Sequence, residues 1–271
     1  MNKSLTCLVL VLGLLVSLLA GCATGTGPSS SALSVPERPS SDQPIQTRAR
    51  LAAKRHVELG TAYLRVARLG VALDEANIAV AIDTTYAPGH LLKALVYAEL
   101  EQFDVARPAF EEAARLAPGD PEINNAYGWF LCSQGQETQG LLRLEQAARN
   151  PYFTTPAKAW ANAGMCLMHK KDDVGAEERF LRAIAQDEQD TVSLFFLAEI
   201  ALRNDMPLRA KQWVDALMSK KLDPGADVLW LVLRVEQKMG NEEAVKRLAE
   251  RLRTDFPGSL EYQNYLKGKF E

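Results

Sequence analysis

The chain has 271 residues, 47% hydrophobic and 24% charged, and its 31 Lys+Arg against 34 Asp+Glu leave a formal net charge of −3. That balance suits an ordinary globular protein or a stacked array without a single core, and it excludes a broadly basic surface for nucleic acid. Four cysteines and three histidines bound the metal and redox chemistry open to it.

Met1-Asn2-Lys3 followed by the apolar run Leu5 to Ala20 has the form of a secretory signal, a short positive start before a hydrophobic stretch. The run ends in Leu19-Ala20-Gly21-Cys22. Small residues directly before a cysteine are what bacterial lipoprotein processing requires. Residues 1–21 are therefore expected to be removed as a signal peptide, and Cys22 to be acylated. Several acyl chains on one residue anchor stably where a single chain is marginal. Ala23, and not an aspartate, follows Cys22, which favours a lipid anchor on the periplasmic face of the outer membrane, an oxidising compartment. Residues 22–44 are expected to be the acylated cysteine and a disordered tether. From Ala23 to about Pro44 the chain is rich in Gly, Ser, Thr and Pro and has almost nothing to bury.

From Ile45 the pattern becomes helical. Leu59-Gly60 and Tyr63 fall on one helix, Ala72, Ala76 and Ala79 on the next. A shift of 34 residues lays Tyr63 on Tyr97, Ala72 on Ala106, Ala76 on Phe110 and Ala79 on Ala113, and Pro118 stops the second helix. A third unit holds Tyr127-Gly128, Gly140, Leu144 and Ala147. A fourth has Gly164, Ala176, Phe180 and Ala183 after a two-residue insertion between Arg149 and Pro156. Two fainter units follow, around Leu197-Ala198 with Ala210 and around Leu231 with Ala244, and Leu260 to Phe270 reads as a capping helix. A period near 34 is that of tetratricopeptide repeats, in which each helix–turn–helix buries its apolar face only against its neighbours. The sequence therefore predicts an all-α tetratricopeptide-repeat solenoid of about six helix pairs over residues 45–271, wound as a right-handed superhelix.

Little in it suggests catalysis. His56, His90 and His169 fall in no metal-ligand spacing. There is no phosphate-binding glycine loop and no serine elbow. The pairs Glu111-Glu112, Asp172-Asp173 and Glu177-Glu178 read as solvated helix faces. Neither a catalytic residue, a metal nor a cofactor is expected. Cys132 and Cys166 stand at nearly matching places on first helices of adjacent repeats, which favours a disulfide over two small buried side chains. The first helices of such arrays line a concave face. The helical register turns Leu91, Leu95, Asn125, Trp129, Met165, Met168 and Phe195 toward it, an apolar groove for an extended peptide in which several of these residues could equally pack between repeats.

The segments Asn124-Asn125-Ala126-Tyr127-Gly128-Trp129-Phe130-Leu131-Cys132, Asn150-Pro151-Tyr152 and Trp160-Ala161-Asn162-Ala163-Gly164-Met165-Cys166 resemble the central repeats of the type IV pilus biogenesis lipoproteins of the PilF/PilW family. Members are pilotins, outer-membrane lipoproteins that help the pilus secretin reach that membrane and assemble. The resemblance implies secretin subunits as partner, the outer membrane as a second partner through acyl chains on Cys22, and no nucleic acid. A lipoprotein scaffold that recruits peptidoglycan or envelope-assembly proteins through the same kind of groove is the competing expectation.

Overall fold

The computed structural model describes residues 35–220 and 223–270. The expected leader and Cys22 lie outside the described residues. Within them, thirteen α-helices follow one another and no strand occurs. Six pairs are formed: α1 (Arg48–Arg65) with α2 (Leu69–Ile82), α3 (Ala87–Glu99) with α4 (Phe103–Leu116), and α5 (Pro121–Ser133) with α6 (Glu137–Ala148). Then come α7 (Pro156–His169) with α8 (Asp173–Gln186), α9 (Thr191–Arg203) with α10 (Pro207–Met218), and α11 (Ala226–Lys238) with α12 (Glu242–Asp255). A short helix α13 (Leu260–Leu266) closes the stack. The predicted solenoid of six helix pairs is what forms.

Each pair is joined by the same turn. One residue takes a left-handed conformation: Ala67 at φ 56°, Glu101 at 57°, Gly135 at 72°, Lys171 at 61°, Asp205 at 53° and Gly240 at 74°. The N–H of the next residue reaches back to the helix, as Gln102 N to Tyr97 O at 2.9 Å and Gln136 N to Leu131 O at 2.8 Å. These are the bonds that close a Schellman motif and satisfy otherwise orphaned carbonyls. First helices start on prolines at α5 and α7, where the missing N–H is no loss. Asp120 caps α5 by accepting from the N–H of Glu122 and Ile123.

Small residues set how near the two helices of a pair approach. Gly128 on α5 faces Gly140 on α6, and a Cβ built on Gly128 would stand 2.8 Å from Leu144 Cγ and 2.9 Å from Gly140 O. Ala72, Ala76, Ala106, Ala113, Ala176 and Ala183 are fully buried along the second helices. Large rings fill the gaps between repeats. Phe110 stacks on Tyr127 at 5.3 Å and tilts against Phe130 at 4.8 Å. Phe180 is fully buried and stacks on Phe196 at 5.4 Å. Cys132 and Cys166 form the disulfide, with Cα atoms 5.5 Å apart. By the chain-entropy argument, a loop of this length gives about 4 kcal/mol of stabilisation.

Two expectations need correction. Residues 35–44 were expected to belong to a disordered tether, yet they pack on the repeats. Glu37 N donates to Gly119 O at 3.3 Å, Ser40 N donates to Asp120 Oδ2 at 2.6 Å, and Asn150 Nδ2 donates to Glu37 O at 3.0 Å. Pro39 and Ser40 are buried, Arg38 lies over the Tyr152 ring, and Lys54 Nζ donates to Ser41 O. Main-chain bonds hold this strap, so its Ser- and Pro-rich composition did not reveal it. At the other end the helix does not run to Phe270. It stops at Leu266, Gly268 takes φ 65°, and residues 267–270 turn back on the stack.

Candidate functional site

First helices pack against the first helices of neighbouring repeats, α3 on α5, α5 on α7, α7 on α9 and α9 on α11, whereas second helices pack on the first helix of the next unit. The closer spacing of first helices makes theirs the inner wall. Position-by-position correspondence along that wall follows from the repeat. Leu91, Asn125, Ala161, Phe195 and Trp230 form one row, and Leu95, Trp129, Met165, Glu199 and Arg234 form the row one turn further along.

The wall is not uniform. Leu91 is only 9% exposed and belongs to the core cluster with Ala94, Ile123 and Tyr127, so it packs between repeats and does not open to the groove. Asn125 is 8% exposed, and its side-chain oxygen accepts from Asn162 Nδ2 at 2.9 Å, one repeat to the next. Its amide oxygen is thereby committed to a neighbouring repeat and does not face a ligand. Leu95 packs partly buried on the same cluster as Leu91. Trp129 is half-buried, its ring 6.2 Å from that of His169. Met165 and Met168 are half-buried on α7, against the cluster built around Phe180.

Two hollows open on this side. Ala161, Asn162 and Met165 of α7 line one of ≈440 Å³ together with Thr154, Lys158, Gln186 and Asp190. Met168, Phe195, Phe196, Glu199, Leu202, Arg203, Arg234 and Lys238 line another of ≈520 Å³, which Phe270 borders from the carboxy-terminal tail. Thus Met165 sits in the first, Met168 and Phe195 in the second, and Trp129 stands apart on α5.

The second hollow is far more charged than an apolar reading of the groove suggests. Arg234 Nη1 pairs with Glu199 Oε1 at 2.8 Å across α9 and α11. Arg203 pairs with Asp173 at 3.3 Å, and Lys238 with Asp205 at 3.1 Å. Sequence reasoning missed Glu199, Arg203, Trp230, Arg234 and Lys238. The signal was present, because the step from Trp129 to Met165 continues to Glu199 and Arg234 once the register is carried through the fainter repeats. An inner wall of half-buried aromatics and methionines that passes into paired charges can hold an extended chain, with side chains in the hollows and carbonyls on the guanidinium groups.

The helix pairs, their recurring turn and the lined inner wall define a tetratricopeptide-repeat protein. Comparison with known proteins carries this further. No model of a known protein family matches the chain. It is 22% identical over 210 residues to the type IV pilus assembly protein PilF of Pseudomonas aeruginosa, covering 78% of this chain and 83% of that protein. Its fold matches the crystal structure of PilW, a widely conserved type IV pilus biogenesis factor, with a TM-score of 0.73 and 26% identity over 79% of this chain and 98% of that one. It also matches the solved structure of PilF from Pseudomonas aeruginosa, with a TM-score of 0.74 and 21% identity over 82% of this chain and all of that one. The chain is a homologue of PilF and a structural relative of PilW, tetratricopeptide-repeat proteins of type IV pilus biogenesis.

Proposed function

We propose that the protein is a pilotin, a lipoprotein held at the periplasmic face of the outer membrane by acyl chains on Cys22, whose inner wall binds subunits of the type IV pilus secretin. Similarity to PilF across most of both chains carries the reading, and the Leu19-Ala20-Gly21-Cys22 motif supports the anchor. In this reading the protein works by binding, as befits a tetratricopeptide-repeat relative of pilus biogenesis proteins. Its contribution to assembly is mass action. An anchored binder confines subunits to a surface, raises their effective concentration and lets ring formation outrun aggregation.

Trp129 is the residue to test, since large half-buried aromatics dominate the energetics of such surfaces. The acylated protein, immobilised, should capture secretin from solubilised envelopes of a strain lacking it. Trp129→Ala should weaken capture by about thirtyfold, the loss expected for an aromatic anchor of ~2 kcal/mol. A deletion strain should leave secretin monomeric or misplaced. Normal secretin rings in that strain would overturn the proposal, and capture of peptidoglycan enzymes in place of secretin would move the reading to a cell-wall scaffold.

A further inference from the structure

The chain's own carboxy-terminal tail already sits on the inner wall. After α13, Gly268 turns the chain at φ 65°, with Gly268 N bonded to Tyr265 O at 3.0 Å and Lys269 N to Asn264 O at 2.9 Å. The turn delivers Phe270 onto Trp230, the rings stacked at 5.6 Å, with Tyr265 edge-on to Phe270 at 6.2 Å. Arg234 Nε donates to Phe270 O at 3.1 Å while its Nη1 remains on Glu199. The residues that grip the tail are wall positions. Trp230 stands in the sixth repeat where Asn125 and Phe195 stand in the third and fifth, and Arg234 stands where Trp129 and Met165 stand.

A guanidinium that takes a main-chain carbonyl beside an indole that takes an aromatic ring is a recognition unit for an extended peptide bearing one aromatic side chain. The hollow bordered by Phe270 continues from this unit over Glu199, Phe195 and Met168 toward the centre of the groove. We infer that the wall at the fifth and sixth repeats is a docking site for a partner segment that carries an aromatic residue, and that Phe270 occupies this place in the free protein as an internal competitor. Of the described residues after α13, Phe270 is half-buried and Lys267, Gly268 and Lys269 are exposed. An occupant that places more side chains on the wall than Phe270 alone competes with it for Trp230 and Arg234. The inference deepens the peptide-binding role proposed above and rests on it only for the identity of the partner.

The test separates the two. The probe is a synthetic peptide of residues 264–271 of this chain, added to the full-length protein and to Phe270→Ala and Gly268→Ala variants. The second variant keeps every other side chain and penalises only the left-handed turn. Both should bind the peptide about tenfold more tightly than the unaltered protein, the factor for a site open about a tenth of the time in the presence of its own tail. NMR shifts should fall on the Trp230 indole and the Arg234 Nε–H, and a peptide with Ala in place of Phe270 should not produce them. Equal and undetectable binding to all three proteins, with Phe270→Ala only lowering the melting temperature, would overturn the inference and leave the tail a structural cap. Peptide binding without secretin capture would sustain the inference and sink the pilotin reading.

Discussion

Six residues, one in each helix pair, hold a left-handed conformation, and only Gly135 and Gly240 among them are glycines. At Ala67, Glu101, Lys171 and Asp205 the Cβ crowds the following carbonyl, at about 1–2 kcal/mol each. Glu101 is exposed, so its side chain offers little in return. Glu101→Gly is expected to stabilise the protein by about 1 kcal/mol after the entropy of the freer chain is counted. A urea midpoint that rises at unchanged slope is the measurement, and Gly135→Ala should shift it the other way. At the first turn between repeats, Asp83 accepts from Arg50 Nε at 2.6 Å and from Thr85 N and Oγ1 at 3.0 and 2.8 Å. Burial alone would raise its pKa, but the bonds from Thr85 and Arg50 outweigh this and hold the carboxyl below its ordinary value. A depressed carboxylate stabilises the fold above its unfolded pKa and loses that contribution as pH falls through the folded one. Below about pH 4, then, the native protein should lose stability more steeply than Asp83→Asn. Parallel acid limbs in the two melting profiles would refute this role.

Between helices, one approach decides the register of the central repeats. Any side chain at Gly128 meets Leu144 and the backbone of α6, which has no flexible end to yield. Gly128→Ala should destabilise by about 1–3 kcal/mol, whereas Gly70→Ala, with nothing within 4 Å of the added carbon, should be neutral or mildly stabilising. Circular-dichroism melts of the two variants check the contrast. These helix pairs were legible in the sequence because a small residue, a ring and a turn at a fixed spacing are local facts. Gly128, Phe110 and Phe180 announce the stack in the sequence itself. The Cys132–Cys166 bridge was legible for the same reason, as two cysteines one repeat apart. The strap at residues 35–44 was not, since its own main-chain groups make the bonds, to Gly119 O, the Asp120 carboxylate and the Asn150 amide, and a strap of any sequence can supply those. The inner wall was half legible. Trp129, Met165 and Phe195 carry a visible apolar pattern, while Arg234 and Lys238 look like solvated helix residues until the register places them beside Glu199 and Arg203.

Across the whole described molecule, each repeat touches only its neighbours, so stability is close to a sum of units and interfaces, and the ends can fray independently of the middle. The strap and the tail both work against fraying, one across the edge of the early repeats and one on the last. The covalent bridge between Cys132 and Cys166 acts differently, because it sits where the third and fourth repeats meet and joins residues 34 apart in sequence. Pulled from its two ends in an optical trap, the oxidised protein should come to full extension about 120 Å short of the same molecule in reductant, the contour of the enclosed segment. Equal final lengths would show that no such hidden loop exists. A stretching load would therefore meet a chain with two yielding arms and a segment of fixed length at its centre.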